Sequence, residues 1–469
     1  MNIDKSAFNS GFNGKYFGTD GFRGEPNISL TSIQAYKIGR FLGWFYSHND
    51  TASERARILI GKDTRQSGYM FEYAIAAGIT ASGADAYLMH VTTTPSISYI
   101  CKGNNFSCGI MITASHNPYH DNGIKIINSK GEKLEENITA LIEAYLDGYT
   151  EPFGVENDIP LATGSSIGRI FDYTIGRDQY INHLTSLVHH SFENLKIGLD
   201  CANGSAYMIA ENVFKELGAH IFIIGNKPNG TNINEECGST RIERLQNLVK
   251  QEHLDAGFAF DGDADRCIAV DATGEIVDGD KIIYILASRF KQKDILSENT
   301  VALTIMSNMG VIKALGSQGI DVSITPVGDK YVYQRMSEQG YQLGGEQSGH
   351  VILKPYSVTG DGILTALIVA DEMIERKASL SDLCADVNLF PQTTVNFKVK
   401  SKLAVMDDKE ITNIVSTYNK ELYPEGRMIL RASGTEDLVR LTVEARDEAI
   451  CQKYVALISN ILKEKGYLI

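Results

Sequence analysis

Four short stretches of this chain hold the residue types that do chemistry. "MITASHNPYHDNGIK" runs from Met111 to Lys125 and sets Ser115 and His116 just past an apolar run, with Lys125 further on. "DAGFAFDGDADR" opens a second apolar run into Asp261, Asp263 and Asp265, followed by Arg266. "YQLGGEQSGH" leads through two glycines to Glu346, Ser348 and His350. "RMILRASGTEDLVR" leads to Arg431, Ser433, Gly434 and Thr435, with Arg440 beyond.

Alternating aspartates can turn several oxygens toward one hard cation. An EF-hand starting at Asp261 needs glycine at its sixth position and glutamate at its twelfth. Arg266 and Ala272 stand there, which excludes that calcium loop. Magnesium suits better, because it takes a few carboxylates and completes its shell with water or phosphate oxygens. A solvated acidic turn is the competing reading, and the position straight after "GFAF" favours metal. "RASGT" reads as a phosphate cradle: small residues admit backbone N–H groups, hydroxyls donate, and arginine grips phosphate in a fork. A helix N-cap at Ser433 or Thr435 competes with it, and the flanking Arg431 and Arg440 favour phosphate. Ser115 lacks the G-x-S-x-G elbow of a hydrolase, and a loop serine capping a helix is its plain alternative. Beside a magnesium site and a phosphate cradle, it suggests phosphoryl transfer with serine as covalent carrier. The chain has no G-x-x-x-x-G-K-[ST] and no G-x-G-x-x-G, so the phosphate is not expected to come from a nucleotide. Lys125 can shuttle a proton if burial or nearby cations lower its pKa. Arg23, in "YFGTDGFRG", lies in a glycine-rich turn that reads equally well as a turn and nothing more.

These loops need strands to hold them. "RILIGKDTR", "KIGLDCANGSA" and "VALTIMSNMG" each read as strand then loop. Each is followed by a helix, a glycine turn at Gly83, Gly218 or Gly319, and a second strand, a repeat of pattern more than of identity. Strands alternating with helices predict α/β sheets with parallel pairs. "VNFKVK", "RMILRASG", "LVRLTVEA" and a helix from about Asp447 predict a different, α+β unit. Linkers fall at Tyr149–Gly168 and around Pro391. The strand before Ser115 shows no hairpin signal and is expected to end in a loop built for the serine. Ligands of open α/β sheets bind beyond the carboxyl ends of strands, so one site assembled from four domains is expected.

The chain has 469 residues, too many for one ordinary core. Its net charge of −14, from 44 basic and 58 acidic residues, argues against nucleic acid and anionic membranes as partners. A local arginine cluster can still take an anionic small molecule. "MNIDKSAFNS" is no signal peptide, and no apolar run approaches membrane-spanning length. Seven scattered cysteines without C-x-x-C read as reduced thiols, and a cytoplasmic protein is expected.

"TASHNP" with "NGIK", "DGDADR", "GGEQSGH" and "SGTE", in this order over essentially the whole chain, resemble the α-D-phosphohexomutases. The resemblance implies three similar mixed-sheet α/β domains plus a C-terminal α+β domain around a central cleft. Their expected bounds are 1–160, 161–267, 268–385 and 386–469. It implies that Ser115 is carried as phosphoserine and that Asp261, Asp263 and Asp265 hold Mg²⁺ against that phosphate. Arg266 and Arg23 lie near the transfer site, Lys125 is the acid or base, and His116 sits beside the phosphoserine. Glu346 and Ser348 hold sugar hydroxyls with His350 close by. Arg431, Ser433, Gly434, Thr435 and Arg440 hold the phosphate that does not react. "GTNINEECGST", "MSNMG", "VGDKYV" and Gln347 resemble the members acting on glucosamine phosphates. Members acting on glucose or mannose phosphates, which use the same mechanism, are the alternative. The implied partner is a sugar phosphate, with a hexose 1,6-bisphosphate as intermediate and activator. A sugar-phosphate sensor without catalysis and a metal-dependent phosphatase are the readings from other classes. Two positions depart from the pattern: Ala432, where lysine or proline is common, and Asp437, where proline is.

Overall fold

The computed structural model describes residues 14–18, 20–49, 55–155, 157–433 and 438–469. It divides into two compact units, Met1–Ile305 with Ser323–Cys384, and Met306–Val322 with Ala385–Ile469.

The threefold pattern in the sequence is a threefold pattern of strands. In the first sheet Asn122–Asn128, Cys108–Ile112, Arg57–Lys62 and Asp85–Val91 lie side by side in that order. The second sheet repeats it with Cys267–Asp271, Ala256–Phe260, Lys196–Asp200 and His220–Ile224. The third does so with Val351–Leu353, Leu343–Gly345, Thr300–Thr304 and Asp321–Thr325. In every sheet the second listed strand runs antiparallel to the first and parallel to the third, so the sheets are mixed. The turn glycines Gly83, Gly218 and Gly319 all take positive φ, as a helix end feeding a strand requires. The first sheet adds Phe17–Gly18 and Gly21–Gly24 at one edge and Ile170–Asp172 at the other.

Both faces of the first sheet are buried, and the alternation of its strands shows it. Ile58, Ile60, Ile110 and Ile112 enter one core with the helices Ser32–Asn49 and Ser67–Ala81. Leu59, Met89 and Met111 enter another with Ile97 and Cys101 of the helix Thr94–Gly103. Near-continuous apolar runs such as "CGIMI" follow from this double burial.

One expectation is corrected. The strand leading to Ser115 does form a hairpin: Ile112 faces Ile124 and Met111 faces Lys125 across an antiparallel ladder. Hairpin signals in sequence mark tight two-residue turns, and the loop here spans 113–121.

The second unit holds an antiparallel sheet in which Leu438–Ala445 lies between Gln392–Lys398 and Gly426–Ala432. The helix Glu448–Glu464 covers it, joined by Lys402–Asp407 and Lys409–Leu422, which the sequence reading had not separated from loop. The helix Met309–Ser317 belongs to this unit, where the Met309 N–H donates to Glu444 at 2.5 Å. Among the described residues no helix is long and apolar enough to cross a membrane, and all seven cysteines are free and buried.

Candidate active site

Three of the four polar loops named in the sequence each close an antiparallel hairpin. The serine loop follows Ile112, the aspartate loop joins Phe260 to its partner Cys267, and the Glu346–His350 loop joins Gly345 to Val351. All three belong to the first unit, and the first two meet. Ser115 is 1% exposed, takes φ +51°, and its Oγ donates to Asp261 Oδ2 at 2.5 Å. A left-handed backbone at a non-glycine residue costs energy and persists only where the surroundings impose it.

The aspartates form a tight acidic set whose ligand oxygens lie within 4.8 Å of one another. Asp263 Oδ1 and Asp265 Oδ1 are buried with no hydrogen-bond partner. Burial, with Asp265 and Asp263 beside it, pushes Asp261 well above the usual carboxylate range. Three buried carboxylates resist sharing negative charge unless a cation joins them. Orphaned oxygens on a hard, all-carboxylate donor set therefore fit a divalent cation. Thr94, the first residue of its helix, adds a hydroxyl to Asp263 Oδ2 at 2.5 Å and its N–H to the Asp263 carbonyl at 3.0 Å. A second acidic group, His190, Asp371 and Glu375, is already paired with Arg289 and Lys293.

Lys125 reaches Asp263 at 2.8 Å, Asp265 at 3.1 Å and Asp20 at 3.2 Å. The expected lowering of its pKa is not found. Burial opposes the charge, but Asp20, Asp263 and Asp265 outweigh it and hold the ammonium well above its ordinary value. Lys125 is thus held as a charged ammonium among these carboxylates. His116 is the opposite case: burial, Arg266 and Arg23 press its pKa down to about 4, leaving a neutral ring 3.3 Å from Ser115 Oγ. Arg23 pairs with Asp20 at 2.5 Å and donates to Asn117 Oδ1 at 3.2 Å. The Arg266 N–H donates to Asp261 Oδ1 at 3.2 Å.

Glu346 accepts the Gly328 N–H at 3.0 Å, and Ser348 Oγ lies 3.4 Å from its other oxygen. His350 is buried between Asp265 and Asp329, at 3.8 and 3.7 Å. Burial opposes its charge, while Asp265, Asp329 and Glu346 raise its pKa to about 9. The Gly360 N–H, at 3.2 Å from Nε2, instead needs a lone pair there. That contact is the shortest of the three and decides for the neutral ring with its proton on Nδ1. Gln347 turns to Asp278 Oδ2 at 3.1 Å, the cap of the helix Gly279–Gln292, and so braces its loop.

In the second unit Arg431 and Arg440 stand directly opposite on paired strands. Among the described residues neither has a carboxylate partner; Arg440 Nε donates to Asn396 Oδ1 at 2.7 Å. Burial and Arg440 both lower the pKa of Arg431. Like charges facing across a sheet are unfavourable, and an anion between them removes the conflict. Ser433 is buried, and Gly434, Thr435 and Asp437 lie outside the described residues.

Several residues at the site carry no local signal in the sequence. Arg65 is fully buried and donates to Asp63 and to the carbonyls of Ser115, Asn117, Pro118 and Asp121. Thr113 accepts the Ser115 N–H at 2.9 Å and donates to Asp63 at 2.7 Å. Asp20 stood in the quoted "YFGTDGFRG" beside Arg23, and Asn234 in "GTNINEECGST".

Four family profiles match the chain in order. They are phosphoglucomutase/phosphomannomutase α/β/α domains I, II and III over residues 14–152, 178–274 and 278–390, and the C-terminal domain over 395–461. The chain belongs to the phosphoglucomutase/phosphomannomutase family. It is a phosphohexomutase, an isomerase. A phosphoglucosamine mutase from Lachnospira eligens is 52% identical over 97% of this chain and 100% of its own. A phosphoglucomutase/phosphomannomutase family protein from Burkholderia thailandensis shares the fold, with TM-score 0.79, 23% identity, and 96% and 98% of the two chains covered. So does the Aspergillus fumigatus N-acetylphosphoglucosamine mutase in complex with GlcNAc-6P and magnesium, with TM-score 0.67, 19% identity and 96% of each chain covered.

Proposed function

We propose that this phosphohexomutase interconverts glucosamine 6-phosphate and glucosamine 1-phosphate, with Ser115 as the phosphoryl carrier. The observation that carries the reading is the contact of Ser115 Oγ with Asp261, in a chain about half identical, end to end, to a phosphoglucosamine mutase. The phosphoryl group leaves Ser115 Oγ, which takes up a proton, for one hydroxyl of the bound monophosphate, which gives one up, and makes a 1,6-bisphosphate. That species turns over in the site and returns its other phosphoryl group to Ser115. A hexose 1,6-bisphosphate supplied from outside would prime the serine in the same way.

Asp261, Asp263 and Asp265 hold the divalent ion, which we take to be Mg²⁺ as in the Aspergillus relative. When bound, it would neutralise phosphate charge and stabilise the negative charge that develops on the oxygens of the transferring group. Lys125 keeps a proton ready for Ser115 Oγ as its bond to phosphorus breaks. Arg23 and Arg266 offer positive charge beside the transferring group, and His116 stays a neutral neighbour. Glu346 and Ser348 orient the sugar through its hydroxyls, and His350 steadies Asp265 behind them. Arg431, Ser433, Gly434, Thr435 and Arg440 take the phosphate that does not react; they read charge and shape, so either end of the sugar fits. Free buried thiols accord with a reducing, cytoplasmic setting.

Ser115→Ala is expected to lower mutase turnover by at least about a thousandfold, since the covalent carrier is gone. Peptide mass analysis of the unaltered protein, primed with bisphosphate, should find the phosphate on Ser115. Full activity in the alanine variant contradicts the mechanism.

A further inference from the structure

The loop "GTNINEECGST" is unaccounted for by the phosphoryl chemistry, yet it reaches the nucleophile. Asn234 Nδ2 donates to the Ser115 carbonyl at 2.9 Å and to the Asn117 carbonyl at 3.0 Å. Arg65 holds the same two carbonyls from the first sheet's side, at 3.0 and 2.8 Å. Asn234 is itself braced: its N–H donates to the Ala202 carbonyl at 2.8 Å, and Asn203 Nδ2 donates to the Asn232 carbonyl at 3.2 Å. Nearby, the Gln66 N–H donates to the Gly230 carbonyl at 2.9 Å. The second sheet's loops thus grip the first sheet's serine loop through its backbone.

The grip has a chemical consequence. A peptide unit is planar and trans, so the His116 N–H points away from the Ser115 carbonyl and from its two donors. Among the described residues that N–H has no hydrogen-bond partner. Donors on a carbonyl polarise the whole peptide and make its N–H a better donor. Ser115, at φ +51°, needs this fixing to keep Oγ on Asp261.

We propose that Asn234 is a positioning residue for phosphoryl transfer: by holding the Ser115 and Asn117 carbonyls it fixes the serine loop, keeps Ser115 Oγ in place and leaves the His116 N–H free to donate. This rests on Ser115 being the carrier. No bond to Asn234 forms or breaks; the phosphorus–oxygen exchange is the one already described.

The test compares the full chain with Asn234→Gly and Asn234→Asp, with Ser115→Ala as the unlabelled control. Glycine keeps the left-handed backbone that Asn234 adopts, φ 58°, and removes only the side chain. Aspartate keeps the shape and loses the donor. Radiolabelled glucose 1,6-bisphosphate with Mg²⁺ serves as phosphoryl donor, and kcat and KM are measured with glucosamine 6-phosphate. Both variants should melt as cooperatively as the parent and label Ser115 slowly. Their kcat should fall about a hundredfold, the scale of a misplacement near one ångström, with KM little changed. Parental kcat and labelling rate in Asn234→Asp overturn the inference and leave the carrier reading standing. A parent chain that takes no label at Ser115 overturns the carrier reading and this inference with it.

Discussion

At the scale of single residues, the site depends on backbone approaches as much as on the groups that react. Gly262 shows this. A Cβ there would lie 2.5 Å from the Ser115 carbonyl and 2.8 Å from Ile233 Cδ1, so the middle glycine of D-G-D is the space into which the serine loop fits. Gly262→Ala should destabilise the chain by about 3 kcal/mol, the upper range for overpacking a fixed contact. It should also cut turnover further than the stability loss explains, because relief comes by moving Ser115 off Asp261. Thermal melting beside kcat checks this, and parental values for both would contradict it. The candidate reacting groups stand out because their types are unusual at strand ends: Ser115 with His116, the aspartate run, and Lys125 on the return strand. Arg65, Asn234 and Thr113 do not. Arg65 and Asn234 hold carbonyls of a distant loop and Thr113 holds the Ser115 N–H two residues on, and the residue types alone do not mark which backbone group a side chain will meet. Gln347 counts in the resemblance to members acting on glucosamine phosphates, and its side chain braces a helix cap at Asp278.

At the scale of elements, three copies of one four-strand arrangement place three hairpin loops at equivalent positions. The parallel repeat could be read from strand–helix–glycine–strand spacing. The hairpins could not, because their closing loops are long and functional instead of tight. The helix Lys409–Leu422 of the second unit is an addition to the three strands and one helix expected there; Asp408 caps it, accepting the Glu410 and Ile411 N–H groups. Another cap carries a prediction. Asp361 caps the helix Gly362–Arg376, accepts the Tyr180 hydroxyl at 2.6 Å, and is 3% exposed. Burial raises its pKa to about 6 although Tyr180 and the Leu364 N–H favour the carboxylate. A carboxyl whose folded pKa lies above its unfolded value contributes stability that is full below the unfolded pKa and is lost as pH rises through the folded one. Between about pH 4 and about pH 6 this group therefore gives up about 3 kcal/mol. Asp361→Asn keeps the cap and does not titrate. The variant should match the parent near the low end of that window and exceed it at neutral pH, as urea unfolding at both values would show. A constant difference between the two curves would contradict the assignment.

At the scale of the whole molecule, an acidic chain handles an anionic sugar phosphate by concentrating its positive charge. Net charge is −14, yet among the described residues of the second unit Arg431 and Arg440 face each other with no carboxylate partner. With covalent chemistry assigned to the first unit and phosphate affinity to the second, the two should separate. Replacing both arginines with alanine should raise KM for the monophosphate by about a hundredfold, the loss of two charge-assisted contacts, and leave Ser115 able to take a phosphoryl group from bisphosphate at high concentration. An unchanged KM would remove the cradle from the account. The substrate itself is tested most directly by kcat/KM on glucosamine, glucose and mannose 6-phosphates, each with Mg²⁺ and a bisphosphate primer. A strong preference for glucosamine 6-phosphate is expected. Equal or better turnover of the glucose or mannose phosphate would contradict it, while leaving the phosphoserine chemistry in place.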